Sequence, residues 1–284
     1  MVDIDHTPDV TTGVAILDRD HDLLADMVRY VATVAEIEGQ HNNIGSALNS
    51  LVDWAEHHFV REERILEAVH SPGLATHATV HRKLEAQIKV LRDRFLGQTG
   101  ELDPRAIARQ LQEWLVNHIE RWDVPMFRVL DHNSSIFERA GDLDFMNSCV
   151  IGGDMRLPKV SWQDMRVLVV DDDRWFLELV GMLLRPLDVG RVRMADSGPA
   201  GLEMLRRETA DLVLCDWHME GMEATAFLAA LRTLDPAAKA ILISEPEEAP
   251  GTRQRMLVVG ADDCLVKPIT ARGIIGAIAG MLER

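Results

Sequence analysis

The chain has 284 residues, 47% of them hydrophobic, which is enough for two domains of ordinary size with a core each. Its formal net charge is -16 and its pI about 5.1, which argues against non-specific binding to nucleic acid or to an anionic membrane surface. No apolar run reaches the roughly 18 residues that a membrane helix needs, and the N-terminus lacks the basic and apolar regions of a signal peptide. Three cysteines, Cys149, Cys215 and Cys264, form no paired framework, so the expected location is a reducing cytoplasm.

Composition divides the chain. Ten of the eleven histidines, all but His218, precede residue 133. Beyond residue 165, short apolar runs alternate with helical patterns. The expected organisation is a helical domain over residues 1–132, a linker over 133–164 with one short helix, and an α/β domain over 165–284. The linker carries Gly152, Gly153 and Pro158 and little sustained periodicity.

The first domain reads as four helices. The first, about 17–37, repeats Leu17, His21, Leu24, Val28, Val31 and Ala35 at spacings of 4 and 3, which keeps one stripe facing a bundle core. Gly39 ends it. The second, about 44–69, places Leu51, Ala55, His58, Glu62, Ile65 and Val69 on the same rule, and Pro72-Gly73 stops it. The third, about 75–96, gives His77, His81, Leu84, Ile88, Leu91 and Phe95 before Gly97. The fourth starts after Asp103-Pro104, a cap followed by a proline at the first position, and gives Ile107, Leu111, Trp114 or Leu115, His118 and Trp122.

Every inward stripe is therefore apolar except for His, or His and Glu. Burying His21, His58, His77, His81, His118 and Glu62 without partners costs about 1–3 kcal/mol each. A shared metal site satisfies them together. His77 and His81, spaced i, i+4, reach one ion from one face, and His58 and Glu62 have the same spacing. In "AEHHFVREERIL", residues 55–66, His57, Arg61 and Arg64 are expected outside the stripe, solvated or ion-paired. Glu63 follows them, with support of a ligand as its alternative role. Glu38-x-x-His41 and Glu67-x-x-His70 imitate another di-iron pattern but lie at helix ends and are set aside.

The strings "ILDRDHDLL", "HHFVREE", "HATVH" and "WLVNHIERWD" resemble those of bacterial hemerythrins over roughly residues 12–132. The resemblance implies a four-helix bundle holding two non-heme Fe ions with a solvent-derived bridge. His77, His81 and His118 would bind one iron. His21 and His58 would bind the other, leaving a position for O2, with NO as an alternative ligand. Glu62 and Asp123 would bridge the pair. His118 and Asp123 are spaced i, i+5, about 140° apart on an ideal α-helix. Their convergence requires a loosened ladder or approach from two sides, and Pro125 nearby makes a disturbed ladder plausible.

The second domain begins with "RVLVVDDD", residues 166–173, an apolar run ending in acids and read as a buried parallel strand. "GRVRMA", "DLVLCD", "KAILIS" and "DCLVKP" follow with helical stretches between them. This alternation implies a doubly wound parallel sheet of about five strands, flavodoxin-like in class. The strand ends carry Asp171, Asp172, Asp216, Ser244 and Lys267. Clustered carboxylates suit Mg²⁺, while Lys267 and Ser244 suit the oxygens of a phosphoryl group. Asp216 is placed to act as the nucleophile that becomes an acyl phosphate.

This half resembles a response-regulator receiver domain. Asp171 and Asp172 match its acid pair, Asp216 its phosphoacceptor, Ser244 its hydroxyl residue and Lys267-Pro268 its Lys-Pro motif. The backbone carbonyl of His218 would complete the Mg²⁺ site. The sequence departs from the family pattern at "MEGMEA", residues 219–224, at Glu245, where a small residue is usual, and at Cys264, where an aromatic residue is usual. The Glu245 carboxylate is expected to repel a phosphodonor or slow hydrolysis.

Together these readings give a cytoplasmic two-component protein, in which an O2- or redox-responsive di-iron domain is joined to a phosphoacceptor domain. Its expected partners are a sensor histidine kinase or phosphotransfer protein and a downstream protein, with no nucleic acid or membrane and with homodimerisation open. The last helix runs up to residue 284, so output is expected through partner binding rather than through an attached effector. The alternatives are an O2, NO or iron carrier, and a di-iron enzyme reducing peroxide or NO under receiver control.

Overall fold

The computed structural model describes residues 11–97, 102–130, 137, 145, 161–246 and 251–282. Most of the expected linker, 133–164, lies outside them, as does Cys149. The chain forms two compact units. One contains the described residues of Met1–Glu36 and Leu51–Asp154, the other Ile37–Ser50 and the described residues of Met155–Arg284. No helix among the described residues is long and apolar enough to cross a membrane.

The helical elements are α1 (Ala15–Val34), α2 (His41–Ala68), α3 (Leu74–Leu96) and α4 (Pro104–His118). The start of α4 follows from its sequence: Asp103 accepts a hydrogen bond from the Arg105 N–H at 3.0 Å, and Pro104, lacking an N–H, stands where none is needed. Gly39, at φ +80°, takes the left-handed conformation between α1 and α2. The stripes bury as the 4-3 spacing predicts: Leu17, Leu24, Val28 and Val31 on α1, Leu51, Ala55 and Ile65 on α2, Ile88, Leu91 and Phe95 on α3, and Ile107, Leu111 and Leu115 on α4.

Beyond His118 the helix changes its period. Ile119–Asp123 is a π-helical segment, closed by a hydrogen bond from the Val124 N–H to the Ile119 carbonyl, and α5 (Val124–Phe127) follows. Pro125 explains the change. It donates no hydrogen bond, and its ring clashes with the carbonyl four residues back, so widening the turn removes a conflict the α ladder could not resolve. Phe127, fully buried, then packs with Leu17, Ile65 and Leu66.

In the second unit, β1 (Arg166–Val170), β2 (Arg191–Ala195), β3 (Leu212–Asp216), β6 (Lys239–Ser244) and β7 (Asp263–Val266) form one parallel sheet in the order β2-β1-β3-β6-β7. The helices α6 (Arg174–Leu184), α7 (Gly198–Arg207), α8 (Ala224–Leu234), α9 (Thr252–Val258) and α10 (Ala271–Leu282) alternate with them. Two-residue strands β4 (His218–Met219) and β5 (Met222–Glu223) make a small hairpin turning at Gly221, φ +79°. The central strands are apolar between their ends because both faces are covered.

Phe227 on α8 is fully buried in the cluster with Val170, Cys215 and Leu242. Phe227→Ala is expected to destabilise this unit by about 3–5 kcal/mol, read from urea unfolding. A loss below about 1 kcal/mol contradicts this account of the core.

Candidate metal centre and phosphoacceptor site

Seven side chains from five helical elements meet inside the first unit. His21 comes from α1, His58 and Glu62 from α2, His77 and His81 from α3, His118 from the end of α4 and Asp123 from the π segment. All are at least nine-tenths buried. They form two overlapping donor groups. Glu62, His77, His81, His118 and Asp123 make one; His21, His58, Glu62 and Asp123 make the other. In each group the ligand atoms lie within 4.8 Å of one another, and Glu62 and Asp123 belong to both.

The Nε2 atom of every one of these histidines faces a carboxylate. His77 and His81 Nε2 lie 2.9 and 3.0 Å from Glu62 Oε2, and His118 Nε2 lies 3.2 Å from Asp123 Oδ1. His21 Nε2 lies 3.3 Å from Asp123 Oδ2 and 3.2 Å from His58 Nε2. His58 Nε2 is 3.6 Å from Glu62 Oε1. The π segment brings Asp123 round to His118, because an i, i+5 pair falls close together on a helix with that wider period.

Protein atoms alone do not satisfy this cluster. Glu62 Oε1, His81 Nε2, His118 Nε2 and both Asp123 carboxylate oxygens are buried without an aligned hydrogen bond. A native interior rarely leaves so many polar atoms orphaned in one place. The set fits cations that take imidazole nitrogen and carboxylate oxygen together. Burial acts against charge here, and the neighbours decide the outcome. Burial lowers His81, but the Glu62 and Glu63 carboxylates outweigh it and raise it to about 9. Burial raises Glu62, but His58, His77 and His81 hold it well below the usual carboxylate range. Burial dominates at His118, which falls to about 4.

Two carboxylates support the histidines from behind. Glu63, half-buried, lies 2.9 Å from His81 Nδ1. Asp20, next to His21 in sequence, lies 3.4 Å from His58 Nδ1 and pairs with Arg61. This corrects the expectation of an outward face. His57 is 1% exposed and Arg61 7% exposed. Burial and the Arg61 charge lower His57 to about 3, so its Nε2 is neutral and accepts from Arg61 at 2.6 Å. The Trp54 and Phe145 rings lie 5.5 and 5.2 Å from the His57 ring. Arg64 is exposed, as expected. The His57–Arg61 spacing of i, i+4 was a readable signal; the Asp20 contact, 41 residues from Arg61, was not. Phe59, stacked on His81 at 4.2 Å, and Phe127 near His77 give the cluster apolar walls.

In the second unit the strand ends gather a different set. Asp171 follows β1, Asp216 ends β3, Ser244 ends β6, and Lys267 follows β7. Lys267 Nζ is 3.0 Å from Asp216 Oδ1, 3.2 Å from Asp171 Oδ2 and 3.3 Å from Glu245 Oε1. Burial lowers Lys267, but these three carboxylates outweigh it and raise it. Burial pushes Asp171 up to about 7, with Lys267 opposing and Asp216 adding to the rise. Burial likewise raises Asp216 against Lys267. The His218 N–H donates to Asp216 Oδ2 at 2.8 Å, and the Glu220 N–H to Asp172 Oδ2 at 2.7 Å. Asp172 is exposed at the rim, while Ser244 is buried. Cys264 is buried on β7 with a thiol that burial raises, so nothing aromatic occupies that position.

These two sites define a helical module with a nitrogen- and oxygen-donor metal cluster, joined to an α/β module with acids and a lysine at its strand ends. Residues 12–130 match the hemerythrin HHE cation binding domain, and residues 167–279 the response regulator receiver domain. The bacteriohemerythrin of Stenotrophomonas maltophilia (strain R551-3) is 30% identical over 111 residues, 39% of this chain and 71% of that protein. The transcriptional regulatory protein ZraR of Escherichia coli (strain K12) is 38% identical over 103 residues, 36% of this chain but 23% of that protein, so the chain spans less than a quarter of its length. A solved CheY-like receiver domain from Methanospirillum hungatei JF-1 is 28% identical and aligns with 42% of this chain and 94% of its own, with a TM-score of 0.39. The chain belongs to the bacterial hemerythrin family through its N-terminal region and carries a response regulator receiver domain in its C-terminal region. That combination supports a signalling role with iron binding in the first module.

The two neighbouring histidines of α2 give an unequal prediction. His58→Ala is expected to lower the iron content of the purified chain. His57→Ala is expected to keep iron while losing about 1–3 kcal/mol of stability, because Arg61 loses a buried partner. Elemental analysis and urea unfolding check both; equal iron loss contradicts the assignment.

Proposed function

We propose that the chain is a two-component signalling protein in which an O2- or redox-responsive di-iron site is coupled to an Asp216 phosphoacceptor, with output through partner proteins. The supporting observation is the pair of donor groups that share Glu62 and Asp123. In this reading His77, His81 and His118 hold one iron, His21 and His58 the other, and Glu62 and Asp123 bridge them. The proposed domains are 1–132 and 165–284, with 133–164 between them.

The iron pair, when bound, supplies reversible O2 binding or a redox change. The chain's own residues determine which chemistry is favoured. Five imidazoles, neutral when they bind metal, and two carboxylates place less negative charge on the metals than a carboxylate-rich set does, which favours ligand binding over substrate oxidation. Asp20 and Glu63 orient His58 and His81 through their Nδ1 atoms, the usual arrangement behind a metal-bound imidazole. Phe59 and Phe127 limit solvent around the cluster.

At the second site an Asp216 carboxylate oxygen attacks the phosphorus of a phosphohistidine donor. A new P–O bond forms and the donor P–N bond breaks. The departing imidazole keeps the electron pair and takes a proton, leaving an acyl phosphate on Asp216. Lys267 and Ser244 then contact phosphoryl oxygens. Asp171, Asp172, Asp216 and the His218 carbonyl would hold Mg²⁺, which neutralises charge there. Either site can lead, since equilibrium coupling between them is reciprocal.

With Mg²⁺ and acetyl phosphate, the chain is expected to form an acyl phosphate that Asp216→Asn abolishes; labelling that survives the substitution contradicts the assignment. For the coupling, the O2 affinity of the reduced, iron-loaded chain is compared with and without beryllofluoride and Mg²⁺. An affinity change of about fivefold or more is expected. Equal affinities overturn the coupling.

A further inference from the structure

Lys267 is contacted by one carboxylate more than the phosphoacceptor reading needs. Asp171 and Asp216 belong to that reading. Glu245 does not, yet its Oε1 is 3.3 Å from Lys267 Nζ. Its other oxygen, Oε2, accepts a hydrogen bond from the Asn42 side-chain amide. One carboxylate thus ties the phosphoryl-binding lysine to the first turn of α2.

The rest of that segment is held to the same face of the second unit. The Asn43 amide donates to Asp173 Oδ2 at 2.6 Å. The Ile269 N–H donates to Ser46 Oγ at 2.9 Å. The Asn49 amide donates to the Ile269 and Pro268 carbonyls at 3.3 and 3.5 Å. Every anchor point on the strand side (Asp173, Glu245, Pro268 and Ile269) is within two residues of Asp171, Ser244 or Lys267. Residues 37–50 accordingly group with this unit and not with the rest of the helices.

We propose that Glu245 is a latch that holds the segment Asn42–Asn49 on the phosphoacceptor face, and that a phosphoryl group on Asp216 opens it. The inference rests on the reading of Asp216 as the phosphoacceptor. While Asp216 is unmodified, Glu245 completes the anionic surroundings of Lys267. A phosphoryl group brings oxygens that need the same ammonium, and it adds negative charge beside a carboxylate 3.3 Å from that nitrogen. Glu245 then leaves Lys267, and Asn42 loses its acceptor. Glu245 is a positioning residue here, because it touches the lysine and not the phosphorus. The helix that it releases carries His58 and Glu62 further along, so the phosphoryl state is registered on a helix that supplies two donors to the metal cluster.

The test uses the full chain and two readouts, beryllofluoride affinity in the presence of Mg²⁺ and amide hydrogen exchange over residues 41–50. In the unsubstituted chain, beryllofluoride is expected to speed exchange in that segment. Glu245→Ala is expected to show the faster exchange without beryllofluoride and to bind it about tenfold more tightly, a gain of about 1.4 kcal/mol. Glu245→Gln keeps an acceptor for Asn42 but loses the charge, so it is expected to tighten binding while leaving exchange near that of the unsubstituted chain. Glu245 has a side-chain exposure of 41%, so neither substitution threatens the core. If beryllofluoride binds but Glu245→Ala matches the unsubstituted chain in both readouts, the latch is overturned. If beryllofluoride does not bind the unsubstituted chain, the phosphoacceptor reading fails, and the displacement with it.

Discussion

The first module depends on two shared carboxylates. Glu62 and Asp123 stand between five buried imidazoles, and every Nε2 in the cluster faces one of them. Within the protein alone, this arrangement leaves several buried nitrogen and oxygen atoms without an aligned partner. A bound metal would resolve that debt, since a cation takes several donors at once and offsets carboxylate charge. The helices are organised around this requirement. Their apolar stripes would pack as well with Leu in place of His, so only the cluster explains why a polar residue recurs in each stripe. The π segment after α4 serves it too, by turning Asp123 toward His118.

The second module meets a similar difficulty with its own side chains. Burial raises Asp171 and Asp216, with Asp216 adding to the rise at Asp171 and Glu245 to that at Asp216, and Lys267 offsets both. The same ammonium also holds Glu245. A single cation shared among three carboxylates is a sensitive arrangement, because any new anion redistributes all of its contacts. The two modules thus differ: one gathers nitrogen and oxygen donors suited to a bound cation, the other carries its positive charge on a lysine shared among carboxylates.

Much of this was legible from residue spacing. The 4-3 stripes located four helices and placed His and Glu on their inner faces, and alternating apolar runs gave the five parallel strands. By spacing alone Asp123 was a conflict, since i, i+5 did not suit an α-helix; the family resemblance named it as a ligand, and Pro125 hinted at the answer that the π segment supplies. The outward assignment of His57 and Arg61 failed for a physical reason. The stripe rule assumes one buried face, but α2 is buried on more than one, with Trp54, Phe145 and Asp20 covering the side that His57 and Arg61 occupy. Asp20 and Asn42 were not legible, because their partners Arg61 and Glu245 are distant in sequence and no periodicity links them. Glu245 stood out as a departure from its family's pattern, while its contacts with Lys267 and Asn42 required the fold.

The central claim is that the histidine stripes enclose a pair of irons that respond to O2. Metal analysis of the full chain, combined with visible spectra of the reduced protein before and after exposure to air, addresses it directly. The account predicts one iron for each of the two donor groups and a charge-transfer band that grows in air and reverses on deoxygenation. Zinc in place of iron, or iron with no spectral response to air, would contradict it.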